Sequence, residues 1–370
     1  MKRLIAVMTL IASLALLLSA CGGGGGGAGA VAGGTGGGGV ISQSRFAYVA
    51  NYGDNSASAY SVDTTTGHLT LLGKITTGTG PVSITIDPSG KYAYVANWSS
   101  NSVSQYRINA NGSLTIIATA VAAGTYPRSV TVGPSGKYAY VANWFDDDVS
   151  QYSINADGSL SPMITPTVAA GSGPWSITVD PSGKYAYVAN GDSNNVSQYS
   201  INLLNGILSA MTPSTVAAGK GPASVTVDPS GKYAYVANEL SNSVSQYSIN
   251  ANGSLSSMTT PTVATGSGPA SVVIDPSGKY AYVANLGSHN VSQYSINANG
   301  SLSSMTPPTV AAETGSQFVT VDPLGKHAYV ANYLSDSISQ YSISADGSLL
   351  SMATPTVAAW PAPYSIKLTP

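Results

Sequence analysis

The sequence is poor in cysteine, in charge and in phenylalanine. A single Cys in 370 residues excludes a disulfide framework, a thiolate zinc site and an iron–sulfur cluster. Charged residues make up 8% of the chain, against a typical ~25%. The net charge is −2; without Lys2 and Arg3, which belong to a leader, 12 basic residues face 16 acidic ones. No basic face can be assembled from that balance, so nucleic acid is not an expected partner. There is no P-loop and no Gly-x-Ser-x-Gly elbow, and no cofactor is implied. No segment sustains helical periodicity. What the chain does have is 43% hydrophobic residues, enough for a packed core, together with 41 Gly and 23 Tyr against 3 Phe.

The N-terminus reads as an address. Lys2 and Arg3 precede an apolar run from Leu4 to Leu18. That run is a signal-peptide h-region, too short for a spanning helix. It ends in Leu18-Ser19-Ala20-Cys21, which resembles the lipobox of bacterial lipoproteins. The resemblance implies cleavage before Cys21 and lipidation of that residue, with the membrane as a partner through its acyl chains. The family's retention signal is an Asp after the Cys; Gly22 stands there, which implies the outer membrane of a double-membraned host. Residues 22–44 hold 13 of the glycines and form a flexible tether of roughly 25 Å. The expected division is a signal peptide over 1–20, a lipidated tether over 21–44 and a folded domain over 45–370.

That domain is a repeat. Tyr-Val-Ala-Asn begins at Tyr48, Tyr94, Tyr140, Tyr187, Tyr235, Tyr282 and Tyr329, at intervals of 46 to 48 residues. Residues 222–266 contain four strand signals with period-two alternation. Asp228-Pro229-Ser230-Gly231 suits a type I turn, and Asn252-Gly253 a hairpin. Four antiparallel strands at this period resemble a β-propeller blade. The first Tyr-Val-Ala-Asn lacks a preceding inner strand, and the chain ends on Pro363-Tyr364-Ser365-Ile366-Lys367-Leu368, which supplies one. The expected fold is all-β: a seven-bladed propeller closed by its C-terminal strand, monomeric, with no long exposed edge.

The repeat text resembles the YVTN β-propeller repeat and the broader lactonase-like propeller family, which includes 6-phosphogluconolactonases and fungal lactonising enzymes. The resemblance covers residues 45–370. It implies hydrolysis of a lactone, a carboxylic ester chemistry.

Comparison among the repeats separates scaffold from candidate site. The seven Asn that follow Tyr-Val-Ala read as strand-end hydrogen bonders. Two positions vary. One precedes the innermost strand: Tyr364, Val82, Arg128, Trp175, Ala223, Ala270 and Gln317. The other follows the Asn: Tyr52, Trp98, Trp144, Gly191, Glu239, Leu286 and Tyr333. In a four-stranded meander both fall at one end, so the chain's individuality should collect on one face around the channel. Tyr333, Tyr364, Tyr52, Trp98, Trp144 and Trp175 form an expected aromatic arc containing Arg128. Glu239, Lys220 and His289 occupy the opposite arc. Aromatics beside sparse polar groups suit a carbohydrate, a peptide or a flat small molecule. Asp146-Asp147-Asp148 reads as a solvated acidic loop, with a cation site as the rarer alternative.

Three functions fit this sequence. The first is an envelope-anchored binding module working through the variable face. The second is a lactonase, with Arg128 stabilising negative charge and Glu239 or His289 as base. The third is a structural surface protein whose aromatics merely plug the channel.

Overall fold

The computed structural model describes residues 45–370. The expected signal segment, Cys21 and the expected tether lie outside the described residues. Seven four-stranded antiparallel sheets follow one another as predicted. Blade 1 combines Pro363–Leu368 as inner strand with Arg45–Asn51, Ser56–Val62 and Leu69–Thr76. Blades 2 to 7 then run without interruption over 81–122, 127–169, 174–217, 222–264, 269–311 and 316–358. The seven inner strands contact one another in a closed ring around the axis.

The turns form as their residues dictate. In blade 5 the Gly231 N–H donates to the Asp228 carbonyl at 2.9 Å. Gly231 adopts φ 70°, open to glycine at little cost. The Asp228 carboxylate accepts the N–H groups of Lys232 and Tyr233 at 2.8 and 2.7 Å. It is thus a local staple, which explains its recurrence from blade to blade.

The abundance of Tyr over Phe has the same kind of cause. Tyr235 is fully buried, and its hydroxyl donates to the Gly300 carbonyl of the next blade at 2.6 Å. Tyr247 reaches back to the Ala217 carbonyl of the previous blade at 2.6 Å; burial, partly countered by the Ser245 hydroxyl, pushes its pKa up to about 12. A phenylalanine would fill the space but leave the carbonyl unpaired. Gln246 accepts the Leu302 N–H at 2.6 Å and donates to Thr260 within its own blade. Equivalent pins recur around the ring. The strand-end Asn also act as expected: Asn238 donates to Ser245 Oγ at 2.9 Å.

A further clasp joins each blade to the next at the variable end. Asn55, Asn101, Asp147, Asn194, Asn242, His289 and Asp336 all take left-handed backbone, with φ between 50° and 56°. Each side chain accepts an N–H from the loop entering the next inner strand. Asn and Asp tolerate this conformation better than most residues, which is why they dominate.

Closure is as predicted. Tyr48 pairs with Lys367 and Val49 with Ile366. Tyr329 of blade 7 donates to the Gly67 carbonyl of blade 1 at 2.6 Å. Near this seam the buried Asp322 carboxylate meets His327 Nδ1 at 3.2 Å and Arg45 Nη1 at 3.8 Å. Burial raises its pKa, but the His327 ring and the N–H groups of His327 and Lys326 outweigh it, leaving the carboxyl below its usual range. A depressed folded value means that its stabilisation is present above the unfolded pKa of ~3.9 and is lost as pH falls through the folded value. Asp322→Asn should therefore cost about 1–3 kcal/mol at neutral pH, and the deficit should narrow in acid. Urea melts of both chains across that range check it; a pH-independent deficit contradicts it.

Candidate functional site

The two variable positions do meet at one end of the channel. Backbone hydrogen bonds tie the loops together: Trp98 N–H to the Gly80 carbonyl at 2.8 Å, Glu239 N–H to Gly221 at 2.8 Å, Tyr333 N–H to Gly315 at 2.7 Å. Tyr52 N–H reaches the Ala362 carbonyl at 2.9 Å, beside Tyr364. The recurring Asp-Pro-Ser-Gly turns, present in four of the seven blades, lie at the opposite end of the inner strands.

Arg128 organises this mouth. It sits on blade 3, between Trp98 of blade 2 and Trp175 of blade 4. Its guanidinium carbon lies 4.3 Å from the Trp98 ring centroid and 3.6 Å from that of Trp175. An arginine held this way between indoles gains cation–π attraction on both sides, about 0.5–2 kcal/mol per contact. Its Nη1 donates to the hydroxyl of Tyr364, on blade 1. Its Nε is buried and has no hydrogen-bond partner. The clamp thus fixes the guanidinium plane among these rings and leaves one buried donor unanswered.

The aromatic arc has two halves joined by this arginine. Tyr364 gathers Tyr52 and Tyr333, with ring centroids 6.4 and 5.7 Å away. Trp98 gathers Trp144 at 5.6 Å and Tyr126 at 4.6 Å, the latter stacked within 15° of parallel. Tyr126 and Arg128 thus both pack against the Trp98 indole. Trp175 has Arg128 on one side, and a Cβ placed on Gly191 would lie 3.5 Å from its ring. That is ordinary van der Waals contact, so position 191 lies directly against the indole. The fourth tryptophan, Trp360, serves the blade 1 rim, under the Lys74 ammonium at 3.4 Å.

Glu239 completes the electrostatics. Its carboxylate is half-buried and in Coulombic reach of Arg128, but no direct ion pair joins them. Burial pushes its pKa above the usual carboxylate range, and the Arg128 charge only partly offsets this. Burial likewise raises the Tyr364 hydroxyl despite Arg128. The mouth therefore offers a fixed cation, a carboxyl retained at raised pKa and a phenol.

Two candidates stand apart. His289 is a clasp residue: its Nδ1 accepts the Gly315 N–H at 3.1 Å, in the role that Asn or Asp fills elsewhere. Gln317 is buried, and none of the mouth's hydrogen bonds or ring contacts among the described residues involves it. The acidic triplet disperses: Asp146 takes the Thr125 N–H, Asp147 the Gly173 N–H, and Asp148 the Asn143 amide. Sequence comparison had missed Tyr126 and Phe145, which meet edge to face at 5.9 Å. Tyr126 carried a readable signal. Five blades place Gly before the inner strand with positive φ, and Tyr126 occupies that position at φ 56°. A bulky side chain kept in glycine's conformation points to a job for the ring; here it backs the indole that backs Arg128.

Comparison with known proteins agrees with this architecture. The bacterial structure of a putative 6-phosphogluconolactonase from Bacteroides fragilis superposes with a TM-score of 0.79 at 21% identity, covering 90% of this chain and 99% of its own. A periplasmic gluconolactonase from Pseudomonas aeruginosa superposes with a TM-score of 0.74 at 21% identity, covering 88% and 99%. At such identities the likeness establishes the fold. No curated protein sequence matches the chain. The family description "Lactonase, 7-bladed beta-propeller" matches residues 31–126, 113–214 and 203–368. Fold, repeat and family match agree: the chain belongs to the seven-bladed lactonase-type β-propellers.

Proposed function

We propose that this protein hydrolyses a lactone, of the sugar-lactone class, at the channel mouth. The observation that carries the proposal is the Arg128 guanidinium, clamped between Trp98 and Trp175 with its Nε unanswered and the raised-pKa carboxyl of Glu239 in Coulombic reach. Family membership supplies the reaction class. In this scheme ionised Glu239 takes a proton from water as the water oxygen adds to the ring carbonyl. The Arg128 N–H edge stabilises the resulting oxyanion. The ring C–O bond then breaks, and the Glu239 carboxylic acid returns the proton to the departing alkoxide.

The binding-module reading depends on open aromatic faces, and the Trp98 ring is already engaged by Arg128 and Tyr126. Recognition by an exposed indole platform is therefore disfavoured. The proposal retains the lipid-anchored envelope location drawn from Cys21, so the substrate is a lactone met outside the cytoplasm.

The test is a pH-stat assay of the folded domain with five- and six-membered sugar lactones, corrected for spontaneous opening. A kcat/KM of at least ~10⁴ M⁻¹s⁻¹ on one of them is expected. No rate above background on any of them would overturn the proposal.

A further inference from the structure

One charged side chain stands on the inner strands below the mouth. The fifth residue of the seven inner strands is Thr85, Thr131, Thr178, Thr226, Val273, Thr320 and, in the closing strand, Lys367. Alternation along that strand fixes the direction. Ile366 and Leu368 are buried in the interface with blade 7. Ser365 lies on the other side, where its hydroxyl accepts the Ile84 N–H of the blade 2 inner strand at 3.4 Å. Lys367 shares the Ser365 side and is open to solvent, although its strand belongs to the innermost ring of the molecule. It lies three positions beyond Tyr364 on the same strand, about 10 Å further along it.

Its surroundings lack what a lysine there would ordinarily have. Among the described residues no carboxylate comes within ion-pair distance of it, and none of the five threonine hydroxyls at this level makes a hydrogen bond within the chain. Desolvation by the surrounding inner strands lowers its pKa from the usual lysine value. A partly desolvated ammonium without a counter-charge, ringed by unengaged hydroxyl donors, is complementary to a small oxyanion. Six repeats show that the fold needs only a Thr or Val here.

We propose that the bore holds a small oxyanion, a phosphate or carboxylate group, on the Lys367 ammonium with the Thr85 and Thr320 hydroxyls of the flanking strands. This site is separate from the mouth and does not rest on the lactonase assignment.

The test uses the repeat's own residue, in Lys367→Thr. Inorganic phosphate is titrated calorimetrically into the wild-type domain, Lys367→Thr and Arg128→Met at fixed ionic strength. Thermal melts with phosphate in place of chloride accompany each titration. Wild-type binding, weakened at least about tenfold in Lys367→Thr and retained in Arg128→Met, is the expected pattern. Phosphate binding lost only in Arg128→Met would move the anion to the mouth and overturn the proposal. Equal binding by Lys367→Thr and wild type, or none by wild type, would overturn it as well. Acetate as the titrant distinguishes a carboxylate site from one that takes phosphate alone.

Discussion

Glu239→Gln should lower kcat/KM for lactone opening by about 10²- to 10⁴-fold, the range a positioned general base contributes. Gln keeps the shape of the side chain and loses only its ability to take a proton. The stability change should run the other way. A carboxyl whose folded pKa lies above its unfolded value weakens the fold once pH rises past the unfolded pKa, because folding then opposes ionisation. Burial puts Glu239 in that class. The amide variant should accordingly melt at the same temperature as wild type, or higher, at neutral pH. Activity lost without stability lost is what separates a chemical role from a structural one. The pH profile adds an independent reading: the wild-type rate should fall on the acid side with an apparent pKa above the ordinary carboxylate value, and that limb should vanish from the residual activity of Glu239→Gln. Wild-type rates in the variant would remove Glu239 from the reaction.

How far the sequence alone reached follows from which interactions are repeated and which occur once. The blades were legible because each carries its own turn residues and pins: Asp228 staples its own loop, and Tyr235 bonds a carbonyl one blade on. The closing strand was legible as a missing copy. The variable face was legible because meander connectivity puts both loop sets at one end. The Arg128 clamp was not. It brings together Trp98, Trp175 and Tyr364 from blades 2, 4 and 1, and no spacing within one repeat encodes a contact across several. The sequence therefore leaves the aromatic arc open between a ligand platform and a channel plug, whereas the rings lie on the arginine and on each other. His289 misled for the opposite reason. Its chemistry stood out, but it sits where six other blades place Asn or Asp, and it does their work through Nδ1.

Deleting residues 363–370 should unfold the domain or drive it to associate. The segment supplies the whole inner strand of blade 1, registered from Ala47 opposite Leu368 to Asn51 opposite Pro363. Beyond it, Thr369 and Phe46 exchange hydrogen bonds of 2.9 and 3.1 Å. Ile366 and Leu368 are 0% and 4% exposed, and fully burying such a side chain is worth about 1.5–3 kcal/mol. The ladder bonds add about 0.5–1.5 kcal/mol each. These contributions together approach the 5–15 kcal/mol that a typical domain has in total. Two more losses follow. Arg45–Asn51 becomes an unpaired edge whose core is already apolar, a template for another chain, and Ser365 no longer receives Ile84 of blade 2. Ile366→Ala offers a graded version, expected to cost about 2–5 kcal/mol while leaving the strand in place. Urea unfolding of that variant, with light scattering of the truncated chain, separates the two effects. A truncated domain that stays monodisperse and melts like wild type would mean that the ring holds without its last strand, and that the hydrogen bonds between neighbouring blades suffice to close it.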